Sequence, residues 1–426
     1  MKLSNHIVTL LILLIIPSGC RKPEFKDPGP MPVRWEYDTG REIYYASPAL
    51  SFDETTIYTG TSGGLLATPG MGNRFIAIDA ATGVKKWSID LLNEEVRSAP
   101  AVAPDNTIWF TTESRNLPEN YKSQDRLYQV SPEGALIRKI LISNGNPTSQ
   151  VGLSAPAIGS DGTIYVAGDK LYAFNPDGSV KWTAFSDAAE TLRNSPVIGE
   201  DGTVYFVFHN IPLTALDPDD GSVIWSRHLG VNDYCLASPA IGSDGTIYVI
   251  AQPGIAFAVS ATGDILWTFD LASIGFTGVP RSSPAVDSDG CIYFGICSGS
   301  PSSALFCLNP NGTLKWKFEP SDLPEDVPSY HFDIYSSPAL GTGNIIYFGQ
   351  EFGRVYALST TDGSLLAMRE VNSAVIWSSP VIDSNGILYI NGLTGTVYGI
   401  ESLSSGPDPL SPWPRFRHDN QGTGRK

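Results

Sequence analysis

Short apolar runs recur along the chain between clusters of turn residues. The stretch from Ser154 to Trp182 shows the unit, with β-type runs at Ile164-Tyr165-Val166 and Leu171-Tyr172-Ala173-Phe174 that each border an Asp-Gly pair. Asp-Gly between such runs predicts two-residue hairpin turns, in which both turn positions need positive φ. The stretch therefore predicts four antiparallel strands, the first after Ser/Ala-Pro and the last ending in Trp.

This unit recurs eight times. Each of the eight copies opens with Ser/Ala-Pro, with proline at 48, 100, 156, 196, 239, 284, 338 and 380. A run like Thr-Ile-Tyr follows every copy, and the spacing is typical of four-stranded propeller blades. Because a single small sheet cannot bury both of its faces, each unit needs neighbours of its own kind. The sequence thus predicts an all-β fold, an eight-bladed β-propeller of four-stranded antiparallel blades over residues 33–402.

The eighth copy ends at Val397-Tyr398-Gly399-Ile400 and has no fourth strand of its own. Val33-Arg34-Trp35-Glu36-Tyr37 precedes the first Ser-Pro and has the pattern of an orphan fourth strand. Since proteins avoid exposed hydrophobic sheet edges, we expect this N-terminal strand to complete the eighth blade and close the ring.

The stretch from Ala77 to Trp87 reads Ala-x-Asp-x-x-Thr-Gly-x-x-x-Trp, and shorter versions recur. It resembles the tryptophan-docking motif of the pyrroloquinoline-quinone-like (PQQ-like) propellers, over about residues 33–400. The resemblance implies that each tryptophan packs between neighbouring blades against the motif glycine of the next blade. The structural tryptophans would be Trp35, Trp87, Trp182, Trp225, Trp267 and Trp316, while Arg138 and Ala367 replace Trp in the second and seventh copies.

Two functional branches share this family. One comprises quinone-dependent dehydrogenases. For a member of this branch, the resemblance implies bound PQQ, a calcium ion and a disulfide between adjacent cysteines. The other comprises binding proteins, including the propeller lipoprotein of the outer-membrane β-barrel assembly machinery. This chain has no adjacent cysteines and no Cys-x-x-Cys-His haem motif. We therefore expect a non-catalytic protein without catalytic residues or cofactors, and the alternative is a degenerate PQQ-dependent oxidoreductase.

The first residues have the plan of an export signal. Lys2 precedes an apolar run from Ile7 to Ile16, and small residues precede Cys20. This resembles a lipoprotein-type signal peptide (1–19) with Cys20 as the lipidation site, although Pro17 departs from the usual pattern; ordinary secretion is the alternative. Residues 20–32 would be a tether. We expect an exported protein, lipid-anchored at a bacterial outer membrane or cell surface.

The formal net charge of -16 argues against nucleic acid and against membrane contact other than through a lipid. Cys235, Cys291, Cys297 and Cys307 leave both a local disulfide and free buried thiols open. With no Cys-x-x-Cys or His cluster we expect no metal site. Asp287-Ser288-Asp289-Gly290 fits a hairpin turn better than a calcium loop, because the chain continues directly into the next strand.

One register varies between the copies. Three residues before each proline stand Tyr45, Arg97, Leu153, Arg193, Leu236, Arg281, Tyr335 and Trp377. Innermost strands line the axis of a propeller, so these side chains would surround the channel entrance. Tyr45, Arg97, Arg193, Arg281, Tyr335 and Trp377 are the candidate site for an anionic or sugar-like ligand, through forked hydrogen bonds and stacking. The alternative is that they plug the channel or pair with local carboxylates.

Residues 403–426 form a Pro-rich and aromatic tail, which we expect to pack on the ring; a disordered tail is the alternative. The preferred function is a monomeric scaffold that binds an envelope protein or a small ligand. A surface adhesin or glycan-binding protein is a further alternative.

Overall fold

The computed structural model describes residues 31–63, 72–92, 94–114, 125–143, 154–185, 194–207, 212–230, 237–300, 303–320, 333–373 and 377–426. These residues form eight four-stranded antiparallel blades around one axis, which confirms the predicted all-β, eight-bladed propeller. Each blade begins at Ser/Ala-Pro with a short innermost strand and ends with an outer strand. The repeated sequence unit is therefore the blade.

The strands of blades 1 to 4 follow the chain in order. Blade 1 contains Ala49–Leu50, Thr56–Gly60, Asn73–Asp79 and Lys85–Leu92. Blade 2 contains Ala101–Val102, Ile108–Ser114, Arg126–Val130 and Leu136–Leu141. Blade 3 contains Ala157–Ile158, Ile164–Ala167, Leu171–Phe174 and Val180–Ala184. Blade 4 contains Val197–Ile198, Val204–Val207, Leu213–Leu216 and Val223–Arg227.

Blades 5 to 7 repeat this order. Blade 5 contains Ala240–Ile241, Ile247–Ala251, Ile255–Val259 and Ile265–Asp270. Blade 6 contains Ala285–Val286, Ile292–Gly295, Leu305–Leu308 and Leu314–Phe318. Blade 7 contains Ala339–Gly341, Ile345–Gln350, Arg354–Ser359 and Leu365–Glu370.

Blade 8 combines the two ends of the propeller. Its inner three strands are Val381–Ile382, Ile387–Asn391 and Thr396–Glu401, and its outer strand is Val33–Asp38. In this antiparallel pairing Trp35 lies opposite Gly399 and Tyr37 opposite Val397. The predicted closure by an N-terminal strand is thus confirmed.

Further short elements sit beside the blades. Glu94–Glu95 pairs with the second strand of blade 2, and Thr277–Val279 pairs with Cys297–Ser300. A single turn of 3-10 helix covers Leu271–Ile274. Across the ranges given above, no helix has the length and apolar character needed to cross a membrane.

The Asp-Gly turns differ from the two-residue turns that the sequence predicts. At the first turn of blade 3, the N–H of Gly162 donates to the carbonyl of Gly159, and Gly162 has a φ of 81° while Asp161 is not in the left-handed region. Asp161 instead accepts hydrogen bonds from the backbone N–H and the hydroxyl of Thr163. The turn is a longer one that needs positive φ only at glycine, and aspartate is selected for its side-chain acceptor.

The hydrophobic core is divided among the interfaces between blades. At one interface, the indole N–H of Trp35 donates to the carbonyl of Ala80, and a Cβ on Gly83 would lie 2.6 Å from the indole ring. Glycine is required there because the ring lies against its Cα and because its φ is 72°. Five other tryptophans also donate their indole N–H to a backbone carbonyl of the next blade, at 2.7 to 3.0 Å. They are Trp87, Trp182, Trp225, Trp267 and Trp316.

A belt of serine hydroxyls joins the innermost strands. The hydroxyl of each Ser-Pro serine accepts the backbone N–H of the equivalent residue in the preceding blade, at 2.9 to 3.1 Å. These hydroxyls belong to Ser195, Ser238, Ser283, Ser337, Ser379 and Ser47. Because these groups are buried, each link satisfies a backbone donor that would be costly to leave unpaired.

Candidate functional site

The two ends of the central channel can be told apart by the direction of the innermost strands. In blade 1 the chain passes from Tyr45 through Pro48 to Leu50, so Tyr45 lies at one end and Leu50 toward the other. We call the Tyr45 end the mouth. Of the candidate mouth residues, Arg193 lies outside the described residues, as do Leu153, Leu236 and the proposed lipidation site Cys20.

Three aromatic residues from different blades meet at the mouth. The ring of Trp377 stacks on Tyr45 with centroids 4.6 Å apart, and Tyr335 lies 5.0 Å from it in a tilted arrangement. A fourth ring, Tyr44, lies 5.3 Å from Trp377, and it escapes the sequence pattern because it stands one position before the register that varies between the copies. Tyr45 has a φ of 58°, a conformation that costs energy for a tyrosine.

Arg281 joins this aromatic group. Its Nη1 donates a 3.0 Å hydrogen bond to the hydroxyl of Tyr45, although the two residues are 236 positions apart in the chain. Its guanidinium carbon lies 5.4 Å from the ring centroid of Tyr335, within the range of a cation–π contact. These two contacts orient the guanidinium. Arg281 is also solvent-exposed, so its guanidinium is accessible from outside. We call Tyr44, Tyr45, Arg97, Arg281, Tyr335 and Trp377 the mouth cluster.

Arg97 has different surroundings. Its Nε lies 2.9 Å from a carboxylate oxygen of Glu95 and 3.9 Å from one of Glu113, and its guanidinium lies over Tyr44 at 5.4 Å. The charge of Arg97 is thus balanced within the protein, as the pairing alternative expects. The two described arginines of the register are therefore unequal, and Arg281 is the better placed to meet a ligand.

Two buried carboxyl groups lie beside the mouth cluster. The indole N–H of Trp377 donates to Glu351 Oε1 at 3.3 Å, and the backbone N–H of Glu351 donates to the carbonyl of Asp333. Burial, together with the charge of Asp333, raises the pKa of Glu351 to about 7. The protonation of a group in contact with Trp377 therefore changes near neutral pH. Sequence comparison missed Glu351 because it follows the second strand and not the innermost one.

Among the described residues, neither the mouth nor the turn at Asp287 fits the calcium and quinone of the dehydrogenase branch. Over the described ranges, no three His, Cys, Asp or Glu side chains gather where they could hold a metal ion. Asp287 accepts hydrogen bonds from two backbone N–H groups of its own turn and from the hydroxyl of Tyr293. At the mouth, Trp377 and Tyr45 stack on each other, which leaves no gap between those two rings for a planar quinone.

The C-terminal segment, residues 403–426, crosses the opposite end of the channel. Its backbone carbonyls accept N–H groups from the innermost strands of six blades, namely those of Leu50, Val102, Ile158, Ile198, Val286 and Leu340. Asn420 Nδ2 donates to the carbonyl of Ile382 in blade 8, and Lys426 Nζ donates to that of Gly242 beside blade 5. The segment thus contacts all eight blades, and Trp413, Arg415 and Arg417 are buried in the interface.

Comparisons with known proteins agree with this architecture. The family model described as outer membrane protein assembly factor BamB matches residues 33–295. The chain is similar in structure to BamB from Moraxella catarrhalis, with a TM-score of 0.60, 14% identity, and coverage of 88% of this chain and 98% of that one. No curated protein sequence matches the chain.

Two further solved structures share the fold. The computationally designed Ika8 protein has a TM-score of 0.60 and 14% identity, with coverage of 86% of this chain and 100% of that one. The quinohemoprotein alcohol dehydrogenase ADHIIG from Pseudomonas putida HK5 has a TM-score of 0.62 and 12% identity, with coverage of 88% of this chain and 77% of that one. At these identities the structures show the fold alone. The family model covers more than half of the chain, and the chain therefore belongs to the PQQ-repeat family of outer membrane protein assembly factor BamB.

Proposed function

We propose that this protein is a non-catalytic binding scaffold of the bacterial envelope, lipid-anchored through Cys20, that docks a partner protein on the mouth of its propeller. The observation that carries the proposal is the mouth cluster. It gathers four aromatic rings and two arginines on the end of the channel that the C-terminal segment leaves uncovered. Trp, Tyr and Arg are the residues most enriched at the energetic centres of protein interfaces.

The contacts within the cluster favour binding because they hold the side chains in place before a partner arrives. Arg281 is fixed by Tyr45 and Tyr335, so docking would immobilise few additional rotamers. The similarity to BamB, whose family is described as an outer membrane protein assembly factor, supports an envelope protein as the partner class.

The test is affinity capture from envelope extract with the full-length protein carrying its own leader. We expect a partner to be captured by the parent and by Lys85→Ala, an exposed control on the outer strand of blade 1. The variants Arg281→Ala and Trp377→Ala should capture it at least tenfold less well, since hot-spot truncations cost about 2 kcal/mol or more. Equal capture by all four proteins would contradict the assignment of the mouth.

A small anionic or sugar-like ligand is tested on the same proteins. Titration with acidic and neutral oligosaccharides compares the parent with the triple variant Arg97→Ala, Arg193→Ala, Arg281→Ala. A ligand that the parent binds and the triple variant loses would assign the mouth to saccharides instead of a protein. Addition of PQQ and calcium should change neither the absorbance spectrum nor the melting temperature, and a shift in either would favour the oxidoreductase alternative.

A further inference from the structure

Arg415 and Arg417 of the C-terminal segment each bridge a pair of neighbouring blades. Arg415 donates to the carbonyls of Pro380 and Pro48, in blades 8 and 1. Arg417 donates to the carbonyls of Pro156 and Pro196, in blades 3 and 4, at 2.7 Å each. A guanidinium can do this because its N–H groups form a rigid planar fork. The four acceptors are thus backbone carbonyls at the same structural position in four blades.

These acceptors are the prolines of the repeated Ser/Ala-Pro. Their backbone carbonyls project toward the axis, and together with the channel-facing N–H groups of the innermost strands they line what we call the channel floor. The innermost strand is the edge of each sheet, so these polar groups have no partner within their own blade. The floor therefore offers regularly spaced donors and acceptors to an extended peptide.

The buried charges are held mainly by neutral carbonyl groups. Arg415 and Arg417 are almost fully buried, and the nearby acid is Asp419, whose own carboxylate accepts from Thr423. Burial lowers the pKa of Arg417 to about 9, which leaves it protonated at neutral pH. Charge-assisted hydrogen bonds to the floor compensate the desolvation of both arginines. The floor thus supplies pairs of carbonyl acceptors to two guanidinium groups.

The residues after Arg417 also form hydrogen bonds with the channel floor. Backbone carbonyls of Asn420, Gln421, Thr423 and Gly424 accept the N–H groups of four successive blades, from blade 1 to blade 4. A Cβ on Gly424 would overlap the guanidinium of Arg417, so a larger residue cannot replace this glycine without displacing the arginine. Residues 413–426 thus make their own set of contacts with the floor, separate from those that Ser404, Gly406 and Asp408 make with blade 7.

We propose that the channel floor is a peptide-binding site in its own right, specific for an Arg-x-Arg segment followed by Gly-x-Gly. In this chain residues 413–426 occupy it in cis. The binding is carried by local contacts, so it does not depend on the covalent connection through residues 402–410, and the same segment supplied as a free peptide binds in trans. This site is at the opposite end of the channel from the mouth cluster and is independent of the function proposed there.

The experiment uses the full chain with a site-specific protease sequence inserted between Pro409 and Leu410, which are both exposed. After cleavage, we expect the released peptide to co-elute with the propeller in gel filtration. It should then exchange with an excess of fluorescent synthetic peptide of residues 410–426. Immediate loss of the peptide would overturn the proposal, whether the propeller keeps or loses its β-sheet circular dichroism.

Specificity is tested by competition and by variants. A peptide with both arginines replaced by lysine should compete at least about tenfold less well, because lysine cannot donate to two carbonyls as a planar fork. The cleaved Arg417→Ala protein should exchange its peptide at least about tenfold faster than the parent. Leu410→Ala is the matched control and should exchange at the parental rate, since Leu410 is 75% exposed. Equal competition by the lysine peptide would overturn the proposed guanidinium recognition.

Discussion

The indole N–H of Trp35 donates a 2.9 Å hydrogen bond to the carbonyl of Ala80, and this contact joins the last blade of the ring to the first. Trp35 belongs to the strand that completes blade 8, while Ala80 follows the third strand of blade 1. The same side chain packs on Tyr389 of its own blade, with ring centroids 5.8 Å apart. Ring closure therefore uses the same tryptophan contact that joins the other blades.

Deletion of residues 33–38 should destabilise the whole domain. It leaves the strand Thr396–Glu401 as an uncovered edge and removes the contact with blade 1. We expect a clearly lower melting temperature and earlier proteolysis than in Trp225→Ala, which removes an equivalent contact at an interface inside the ring. Trp225→Ala itself should cost about 3 kcal/mol through lost packing. A deletion with the parental melting temperature would contradict this account of closure.

The glycine beneath Trp35 offers a test of the docking contact. Gly83→Ala places a Cβ 2.6 Å from the indole and requires positive φ, whereas Gly40→Ala requires positive φ but meets no atom within 4 Å. The conformational cost of about 1–2 kcal/mol is common to both variants. We expect Gly83→Ala to lower the free energy of unfolding by about 2 kcal/mol more than Gly40→Ala, as overpacking does. Chemical denaturation measures both, and equal losses would argue against a tight contact.

Glu351 should make stability depend on pH. Its pKa is raised from the ordinary 4.5 to about 7, so the folded state holds a proton that the unfolded state has lost between these values. The free energy of unfolding therefore falls as pH rises from about 4.5 to about 7, by at most about 3 kcal/mol. Glu351→Gln keeps an oxygen acceptor for Trp377 and should remove this loss. A parallel pH dependence in both proteins would contradict the assignment.

The cysteines of blade 6 should behave as three free thiols. Cys291, Cys297 and Cys307 are buried and unbridged, and Lys315 Nζ lies 3.5 Å from the sulfur of Cys291. Contact with Cys307 and the nearby Lys315 lower the pKa of Cys291, whereas burial raises the pKa of Cys297 and of Cys307. Since the thiolate is the reactive form, we expect iodoacetamide to modify Cys291 before Cys297 and Cys307 at pH 8. Mass spectrometry of timed samples checks the order, and faster modification of Cys297 would contradict it.

Much of the fold could be predicted because nearly every blade is formed by one continuous stretch of the chain. Strand runs, turn residues and the docking tryptophans lie within about fifty residues of one another, and their repetition set the number of blades. The role that the sequence predicts for Asp161 is wrong, since a sequence pair such as Asp-Gly does not distinguish turn lengths. The structure showed that the side chain of Asp161, and not a positive φ, is what the turn uses.

Of the candidate site, the sequence predicted only that the residues at one equivalent position in each copy lie around the axis. Taking the same position in each copy identified Tyr45, Arg281, Tyr335 and Trp377 as neighbours around an axis, because symmetry-related positions converge in a ring. It could not separate Arg97, which pairs with Glu95, from Arg281, which bonds to Tyr45. It also missed Glu351, which follows the second strand of blade 7 and lies outside the register.

By itself, the sequence determined the blade, its eightfold repetition and the closing strand, since these depend on periodicity and on the need to cover a sheet edge. Only the tertiary structure decided which side chains meet across the axis and how Arg415 and Arg417 bridge the blades. Contacts such as those of Arg415 with Pro48 and of Arg417 with Pro196 join residues that are 367 and 221 positions apart. Their geometry is set by the curvature of the closed ring, which no local pattern in the chain encodes.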